Sequence, residues 1–110
     1  MNAWLILSIA IVVEVIATLA LKASDGFTRW LPSLIVVVGY GIAFYALSLS
    51  LKALPVGIVY AVWAGAGIVL ISLFSWLFYQ QVLSSVQWFG ITLIVVGVVV
   101  LNLSNTPVEV

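Results

Sequence analysis

Long apolar runs, separated by short polar segments, make up most of the chain. Four of these runs approach or exceed the about 20 residues that a helix needs to cross the roughly 30 Å hydrocarbon core of a bilayer. They cover residues 4–21, 34–51, 57–79 and 86–103. This pattern predicts an all-α membrane protein with four transmembrane helices in each chain.

Three short connectors join the predicted helices: KASDGFTRWLPS, KALPV and QQVLSS. In the first connector, Asp25–Gly26 is typical of a turn, and Pro32 is placed to open the second helix. In the third connector, Ser84 and Gln87 have the spacing of a helix-capping box. Because the connectors are short, we expect an up-down bundle that forms a single domain over residues 1–110.

The composition places this bundle in lipid. Hydrophobic residues make up 66% of the 110 residues and charged residues only 5%, whereas soluble domains carry about 25% charged residues. The N-terminal run has no basic residue before it and contains an acid. We therefore expect it to be retained as the first span and not cleaved as a signal peptide.

The residue types that the sequence lacks exclude several function classes. Without cysteine, the chain has no disulfide framework and no thiol chemistry. Without histidine, it lacks the residue that most often serves as a metal ligand and as a general base. It has no G-x-x-x-x-G-K-[ST] loop for nucleotides, and its net charge of zero gives no reason to expect nucleic acid as a partner. We expect neither an enzyme nor a bound cofactor.

The positive charges orient the bundle only weakly. Lys22 and Arg29 lie in the first connector, and Lys52 lies in the second, on the opposite side of the membrane. Two basic residues against one leave little of the bias that keeps Lys and Arg on the cytoplasmic side. Insertion in one orientation and insertion in both orientations stay open.

One carboxylate, Glu14, interrupts the apolar stretch AIVVEVIATLA. It follows Trp4 by ten residues, which puts it about 15 Å deep in a helix that rises about 1.5 Å per residue. Lys22, the nearest cation in sequence, would more easily extend to the membrane surface. Two structural alternatives are half of an ion pair and a protonated acid in an interhelical hydrogen bond. Ionisable residues inside membranes are, however, functional by default.

An intramembrane acid without a counter-ion suggests a transport chemistry. Burial disfavours the charged form of a carboxylate. Glu14 is therefore expected to hold a proton or, when ionised, a cationic ligand. If each occupant displaces the other, and if the site opens to each side in turn, the result is proton-coupled antiport.

Small and aromatic residues surround this predicted site. In helix two, Tyr40 and Phe44 are four residues apart, and in helix three, Tyr60 and Trp63 are three apart. Aromatic faces bind organic cations by cation–π attraction, although core packing and lipid contact explain most membrane aromatics. Five residues share the helix face of Glu14: Leu7, Ala10, Ala17, Thr18 and Leu21. Four aromatic residues near span ends are typical of interface anchors: Trp4, Trp30, Tyr79 and Trp88.

Glycines mark helices three and four. Gly65 and Gly67 allow a kink or close packing in helix three. Gly90 and Gly97 lie seven apart on one face of helix four, and their spacing fits dimerisation and packing within one chain equally well. Four helices are few for enclosing a drug-sized pocket. Two oppositely oriented chains would form an inverted repeat, an architecture that transporters use.

Four sequence features together resemble the small multidrug resistance family of bacterial inner-membrane transporters. They are the motifs EVIAT, KASDGFTR and LPVGIVYAVWAGAG, and the glycine spacing of helix four. The resemblance covers essentially the whole chain. It implies a multi-pass protein of the bacterial inner membrane that works as an antiparallel homodimer with dual topology. It also implies export driven by the proton gradient, without a cofactor.

The resemblance also assigns roles to individual residues. It implies that Glu14 is the shared proton and substrate site, and that Tyr40, Tyr60 and Trp63 line its pocket. It implies a helix-three kink at Gly65 and Gly67 and a dimer contact at Gly90 and Gly97. We expect four neighbours to contact the substrate as well: Leu7, Ala10, Thr18 and Phe44.

Position 17 separates two branches of the family. Guanidinium exporters of the family typically have a tryptophan three residues after the acid, where this chain has Ala17 followed by Thr18. The sequence is therefore similar to the quaternary-ammonium branch. Ala17, Ala43 and Ala64 stand where a well-known drug-exporting member has a glycine and two serines, which would make the pocket less polar.

The leading hypothesis is a proton-coupled antiporter that exports hydrophobic or aromatic organic cations, such as quaternary ammonium compounds. Its partners would be a second copy of the chain, lipophilic cations, protons and the lipid bilayer. One alternative is export of guanidinium or small polar cations, against which Ala17 argues. An alternative of another class is a non-transporting membrane subunit, against which Glu14 and the aromatic residues argue.

Overall fold

Four helices make up nearly all of the computed structural model, which describes residues 2–103. In chain order they are α1 (Ala3–Ala23), α2 (Trp30–Ser50), α3 (Val56–Tyr79) and α4 (Ser85–Leu103). With 21, 21, 24 and 19 residues, each is long and apolar enough to cross a membrane. The prediction of an all-helical chain with four potential membrane spans is confirmed.

Helix α1 has defined caps at both ends. The side chain of Asn2 accepts a hydrogen bond of 2.7 Å from the backbone N–H of Trp4. At the other end, the hydroxyl of the buried Ser24 donates to the Leu21 carbonyl at 2.6 Å. The turn that follows contains three residues with positive φ angles: Asp25 at 49°, Gly26 at 70° and Phe27 at 65°. The turn predicted at Asp25–Gly26 is therefore present.

The start of α2 lies earlier than the apolar pattern indicated. The helix begins at Trp30, four residues before the predicted span at residue 34. Pro32 thus lies in the first turn of the helix, where its missing N–H costs no intrahelical hydrogen bond. The apolar pattern indicates the part of the helix that is expected to lie in lipid, while the helix itself begins four residues earlier, within the first connector.

Helix α4 begins with the predicted capping box. The Ser84 backbone N–H donates to the Gln87 side-chain oxygen at 2.8 Å. In return, the Gln87 backbone N–H donates to the Ser84 hydroxyl at 3.3 Å. Two backbone donors that a helix start leaves free are therefore satisfied locally.

Helix α1 is the centre of the chain's packing. It packs against α2 on one side and α3 on another, and α3 in turn packs against α4. The core of buried apolar side chains comes from α1 and α3: Leu7, Ile11, Val15 and Val59. Five residues of α1 are buried, whereas Ile91 is the buried residue of α4. Helix α4 therefore leaves most of its apolar surface to lipid or to another chain.

Candidate functional site

The Glu14 carboxylate lies half-buried in the middle of α1. Thr18, one helical turn further along, donates its hydroxyl to the Glu14 Oε1 atom at 2.9 Å. Among residues 2–103, which include all three basic side chains of the sequence, Glu14 forms no ion pair. The first structural alternative, half of an ion pair, therefore has no partner among these residues.

Tyr40 extends this contact from α1 to α2. Its hydroxyl oxygen lies 2.6 Å from the Thr18 Oγ1 atom. An ionised carboxylate accepts hydrogen bonds only, and a threonine hydroxyl has one proton to give. When Thr18 donates to Glu14, Tyr40 must therefore donate to Thr18. The three groups form a directed relay from Tyr40 through Thr18 to Glu14.

Two small residues bring α1 and α2 close enough for this relay. Ala17 and Gly39 are buried neighbours of Thr18 and Tyr40 in sequence. A Cβ atom added at Gly39 would lie 2.8 Å from the Cβ of Ala17, which is too short for two carbon atoms. The absence of a side chain at Gly39 thus permits the crossing of α1 over α2 next to the hydrogen-bond relay.

Helix α3 presents Gly67 to the second oxygen of the carboxylate. A Cβ atom added at Gly67 would lie 3.8 Å from Glu14 Oε2. Gly65 faces a different helix, because a Cβ added there would lie 2.6 Å from Val98 Cγ2 in α4. Helix α3 runs without interruption through both glycines, and the kink expected at these positions stays a prediction.

Three aromatic rings form a row that begins at the relay. The rings of Tyr40 and Phe44 are stacked at 6.0 Å between centroids. Phe44 is stacked in turn on Trp63 of α3 at 6.2 Å, with an angle of 9° between the ring planes. The row connects the Glu14 side of the bundle to α3 by way of α2. Tyr40, Phe44 and Trp63 were all predicted as site residues, and the structure brings them together with Glu14 and Thr18.

An apolar cavity of about 130 Å³ opens beyond the aromatic row. Its lining residues are Phe44, Leu47, Leu51, Val56, Val59, Tyr60 and Trp63. Pockets for drug-sized ligands usually measure about 300–1,000 Å³. The space that a single chain provides here is therefore too small to enclose such a ligand, and Tyr60 stands at its rim with 74% of its surface exposed.

The other predicted site residues have different surroundings. Leu7 and Ala10 are fully buried, with 1% and 0% of their surfaces exposed, so they lie in the interior of the single chain. Gly90 and Gly97 lie on α4, and a Cβ atom added at either would meet nothing within 4 Å. Within the described residues, the two glycines of α4 thus have no close packing partner.

One contact near the site was not predicted from the sequence. The Tyr79 hydroxyl, at the end of α3, donates to the Leu19 carbonyl of α1 at 2.9 Å. The Lys22 ammonium lies 5.4 Å from the centre of the Tyr79 ring, a distance at which a cation is attracted to an aromatic face. The sequence indicated only an interface anchor at Tyr79, since nothing in its local pattern reveals a partner on α1.

The described residues offer no alternative metal chemistry. Within residues 2–103 there is no group of three or more His, Cys, Asp or Glu side chains that could hold a metal ion. The chemical features of the site are one carboxylate, two hydroxyls and an aromatic row. Such a set can hold a proton or an organic cation.

Known proteins resemble this chain over most of its length. A family model described as Small Multidrug Resistance protein matches residues 2–94. The chain is 59% identical over 103 residues, 94% of either chain, to the quaternary ammonium compound-resistance protein QacE of Escherichia coli. It is 50% identical over 103 residues, again 94% of either chain, to a multidrug transporter of Pseudomonas aeruginosa. It is 48% identical over 101 residues, 92% of this chain and 96% of the other, to the multidrug resistance protein EbrA of Bacillus licheniformis.

These matches agree with the fold. The three relatives are named as resistance proteins or transporters and not as enzymes. Four helices able to cross a membrane, together with these relatives, make the chain a multi-pass protein of the bacterial inner membrane. The chain belongs to the small multidrug resistance family.

Proposed function

We propose that the protein exports hydrophobic organic cations, quaternary ammonium compounds among them, in exchange for protons. The observation that carries the proposal is the half-buried Glu14 carboxylate, which has one hydroxyl donor and no cationic partner among the described residues. A buried negative charge needs a positive charge nearby or a proton. The negative charge of Glu14 can therefore be balanced by a bound cation or removed by a proton, and the two exclude each other.

This exclusion provides the coupling. A proton on Glu14 removes the charge that attracts a cation, and a bound cation makes protonation unfavourable. Export then requires only that the site faces one side of the membrane at a time. A proton that enters from the more acidic side displaces the cation, and the next cation displaces the proton. Neither step needs a cofactor.

The aromatic row supports hydrophobic cations as the substrate class. Tyr40, Phe44 and Trp63 form a row of stacked rings that begins at the hydrogen-bond relay of Glu14, and cation–π attraction is worth about 2 kcal/mol or more when the cation is desolvated. The cavity beyond them is lined by apolar and aromatic residues, so it has few groups that would recognise a polar guanidinium. The Escherichia coli relative is named for resistance to quaternary ammonium compounds.

The packing at position 17 argues against guanidinium export. Ala17 has 0% of its surface exposed, and its Cβ atom lies so close to Gly39 that a Cβ added at Gly39 would be only 2.8 Å away. The tryptophan that is typical of guanidinium exporters would not fit there unless α1 and α2 moved apart. The Thr18–Tyr40 hydrogen bond opposes such a movement.

We propose further that the four helices act as one transporter domain and that two chains work together as an antiparallel homodimer. The cavity beside the aromatic row is too small for a drug-sized cation, Tyr60 is largely exposed, and α4 leaves Gly90 and Gly97 open. A second chain would supply the missing wall and cover α4. The nearly even distribution of Lys22, Arg29 and Lys52 between the two sides favours neither orientation.

Transport in liposomes tests the function. Purified protein is reconstituted with a pH gradient, and uptake of tetraphenylphosphonium is compared with uptake of guanidinium. We expect gradient-driven movement of tetraphenylphosphonium, little movement of guanidinium, and no coupled exchange by Glu14→Gln. Preferred movement of guanidinium would support the alternative within the family. Movement of neither cation would leave a non-transporting membrane subunit as the better interpretation.

The absence of cysteine makes the orientation of the chains directly measurable. A single cysteine is introduced at Gln81, in the exposed third connector, and intact cells are treated with a maleimide that does not cross membranes. Dual insertion predicts labelling of about half of the molecules from outside, as expected for a chain with little charge bias. Labelling of all molecules, or of none until the cells are opened, would contradict an antiparallel dimer.

Helix α4 can be tested as the dimer contact with a matched pair of substitutions. Gly97→Leu and Gly41→Leu both add a side chain where one chain offers open space. We expect Gly97→Leu to shift the protein from dimer to monomer in detergent and Gly41→Leu to leave the dimer intact. Equal dimer fractions in the two variants would remove Gly97 from the interface.

A further inference from the structure

We propose that Thr18 is a positioning residue that transmits the charge state of Glu14 to Tyr40, and through Tyr40 to the aromatic row. The inference rests on the proposed function, because it concerns how the shared proton and cation site communicates with the surface that binds the cation. It is carried by two hydrogen bonds, from Thr18 to Glu14 at 2.9 Å and between Thr18 and Tyr40 at 2.6 Å.

The first step concerns the ionised carboxylate. A hydrogen bond to a charged acceptor is shorter and roughly twice as strong as a neutral one, and hydrogen bonds in a chain strengthen each other. The negative charge on Glu14 therefore strengthens the Thr18 donation, which in turn strengthens the donation from Tyr40. The ionised site holds the Tyr40 hydroxyl towards α1.

The second step concerns the neutral carboxyl group. Protonation of Glu14 removes the charge from the end of the relay, and both hydrogen bonds weaken together. The Tyr40 hydroxyl is then held less firmly, and its ring is the first member of the row that continues through Phe44 to Trp63. The proton thus loosens one wall of the cation site in addition to cancelling its charge.

Few other polar groups near Glu14 could transmit its charge state to the aromatic row. The hydroxyls near Glu14 are those of Thr18 and Tyr40, while α3 presents Gly67, which has no titratable group. The other titratable side chain that contacts this part of α1 is Tyr79, and its hydroxyl is bound to the Leu19 carbonyl instead. Lys22 lies at the Tyr79 ring. Tyr79 therefore serves as an internal control.

An NMR titration of the full chain in bicelles tests the transmission directly. The ring carbon that bears the hydroxyl is followed for Tyr40 and Tyr79, together with the carboxyl carbon of Glu14, as the pH is changed. We expect the Tyr40 signal to change with the same midpoint as Glu14, and the Tyr79 signal to show no change at that midpoint. A Tyr40 signal that does not change at the Glu14 midpoint would overturn the proposal. Because the measurement uses the wild-type chain, it does not depend on the folding of any variant.

Variants of the relay provide the second readout, with tetraphenylphosphonium as the probe. Thr18→Val keeps the shape of the side chain and removes the hydroxyl, whereas Thr18→Ser keeps the hydroxyl. We expect Thr18→Val and Tyr40→Phe each to lower affinity by about three- to tenfold, in the range of interhelical hydrogen bonds in membranes. The double variant should bind tetraphenylphosphonium no more weakly than the weaker-binding single variant, because both substitutions break the same relay.

The same variants separate this inference from the proposed function. Thr18→Ser should bind close to wild type, and the change of the Tyr40 signal at the Glu14 midpoint should disappear in Thr18→Val. Independent, multiplying losses in the double variant would overturn the relay while leaving cation transport in place. Failure of the wild-type protein to transport any cation would instead refute the proposed function, whatever the Tyr40 signal does.

Discussion

Two helix–helix contacts, α1 with α2 and α3 with α4, both depend on a glycine. They differ in the other side chains that join the helices. In each, a glycine lets a neighbouring helix approach closely: Gly39 opposite Ala17, and Gly65 opposite Val98. The α1–α2 contact adds a hydrogen bond between side chains, from Tyr40 to Thr18. The cavity beside the α3–α4 contact is lined by valine, alanine, leucine and glycine.

The difference shows how an almost wholly apolar chain can fix one part of its structure and leave another adjustable. Between apolar helices in lipid there is little hydrophobic driving force, so packing and hydrogen bonds decide the geometry. The hydrogen bond gives α1 and α2 a defined register beside Glu14. Within one chain, helix α4 packs mainly against α3 and buries Ile91, so fewer contacts of that chain resist its movement.

The largest effect on stability is expected from crowding the α1–α2 contact. Gly39→Ala puts a carbon 2.8 Å from the Ala17 Cβ, and neither atom can rotate away. We expect the free energy of unfolding to fall by about 1–3 kcal/mol, as for other overpacked interiors. Sodium dodecyl sulfate titration, followed by circular dichroism at fixed protein concentration, measures the change.

The control for this crowding is on the same helix, two residues further along. A Cβ atom at Gly41 meets nothing within 4 Å, so Gly41→Ala should change stability by less than about 1 kcal/mol, through helix propensity alone. If both variants unfold alike, close approach at Gly39 does not determine the α1–α2 geometry. Gly39→Ala should also weaken tetraphenylphosphonium binding, because it separates Thr18 from Tyr40.

A smaller effect is expected from the same substitution in the α3–α4 contact. Gly65→Ala brings a carbon 2.6 Å from the Cγ2 atom of Val98, but this methyl group is the end of a side chain on α4, a helix that buries few of its own residues within one chain and can shift with it. We expect a loss of about 1 kcal/mol, at the low end for overpacking. A loss as large as that of Gly39→Ala in the same titration would show that α4 is held as rigidly as α2.

The smallest effect is expected from the hydrogen bond between Tyr79 and Leu19. Tyr79→Phe removes the donor but keeps the ring that faces Lys22. Interhelical hydrogen bonds in membranes contribute about 0.6 kcal/mol on average, and the loss should be of that size. Since Glu14 makes no contact with Tyr79, cation affinity should stay unchanged, and a binding assay that finds otherwise would connect this end of α1 to the site.

Much of this architecture could be predicted from the sequence because it depends on local signals. The four helices follow from the length of the apolar runs. The capping box at Ser84 and Gln87 follows from residue spacing, and both of its hydrogen bonds are present. The prominence of Glu14 follows from its position in an apolar run. The start of α2 at Trp30 could not be placed this way, since hydropathy does not report where a helix leaves the lipid.

Contacts between helices were the part that local signals could not supply. The sequence predicts a kink at Gly65 and Gly67, but it does not show that the two glycines have different partners, since residues two apart on a helix do not face the same way. Gly65 meets Val98 of α4 and Gly67 meets Glu14 of α1. The hydrogen bond of Tyr79 joins residues 60 apart in the chain. Spacing along one helix cannot reveal which partner lies opposite.

The central claim is that a proton and a cation occupy Glu14 in turn, and proton release on binding tests it most directly. Tetraphenylphosphonium is added to the purified, protonated protein in weakly buffered detergent solution, and the released protons are measured. The wild-type chain and Asp25→Asn, which changes an exposed acid in the first connector, should both release protons. Glu14→Gln should release none. Cation binding without proton release at any pH, or equal release by Glu14→Gln, would contradict the account.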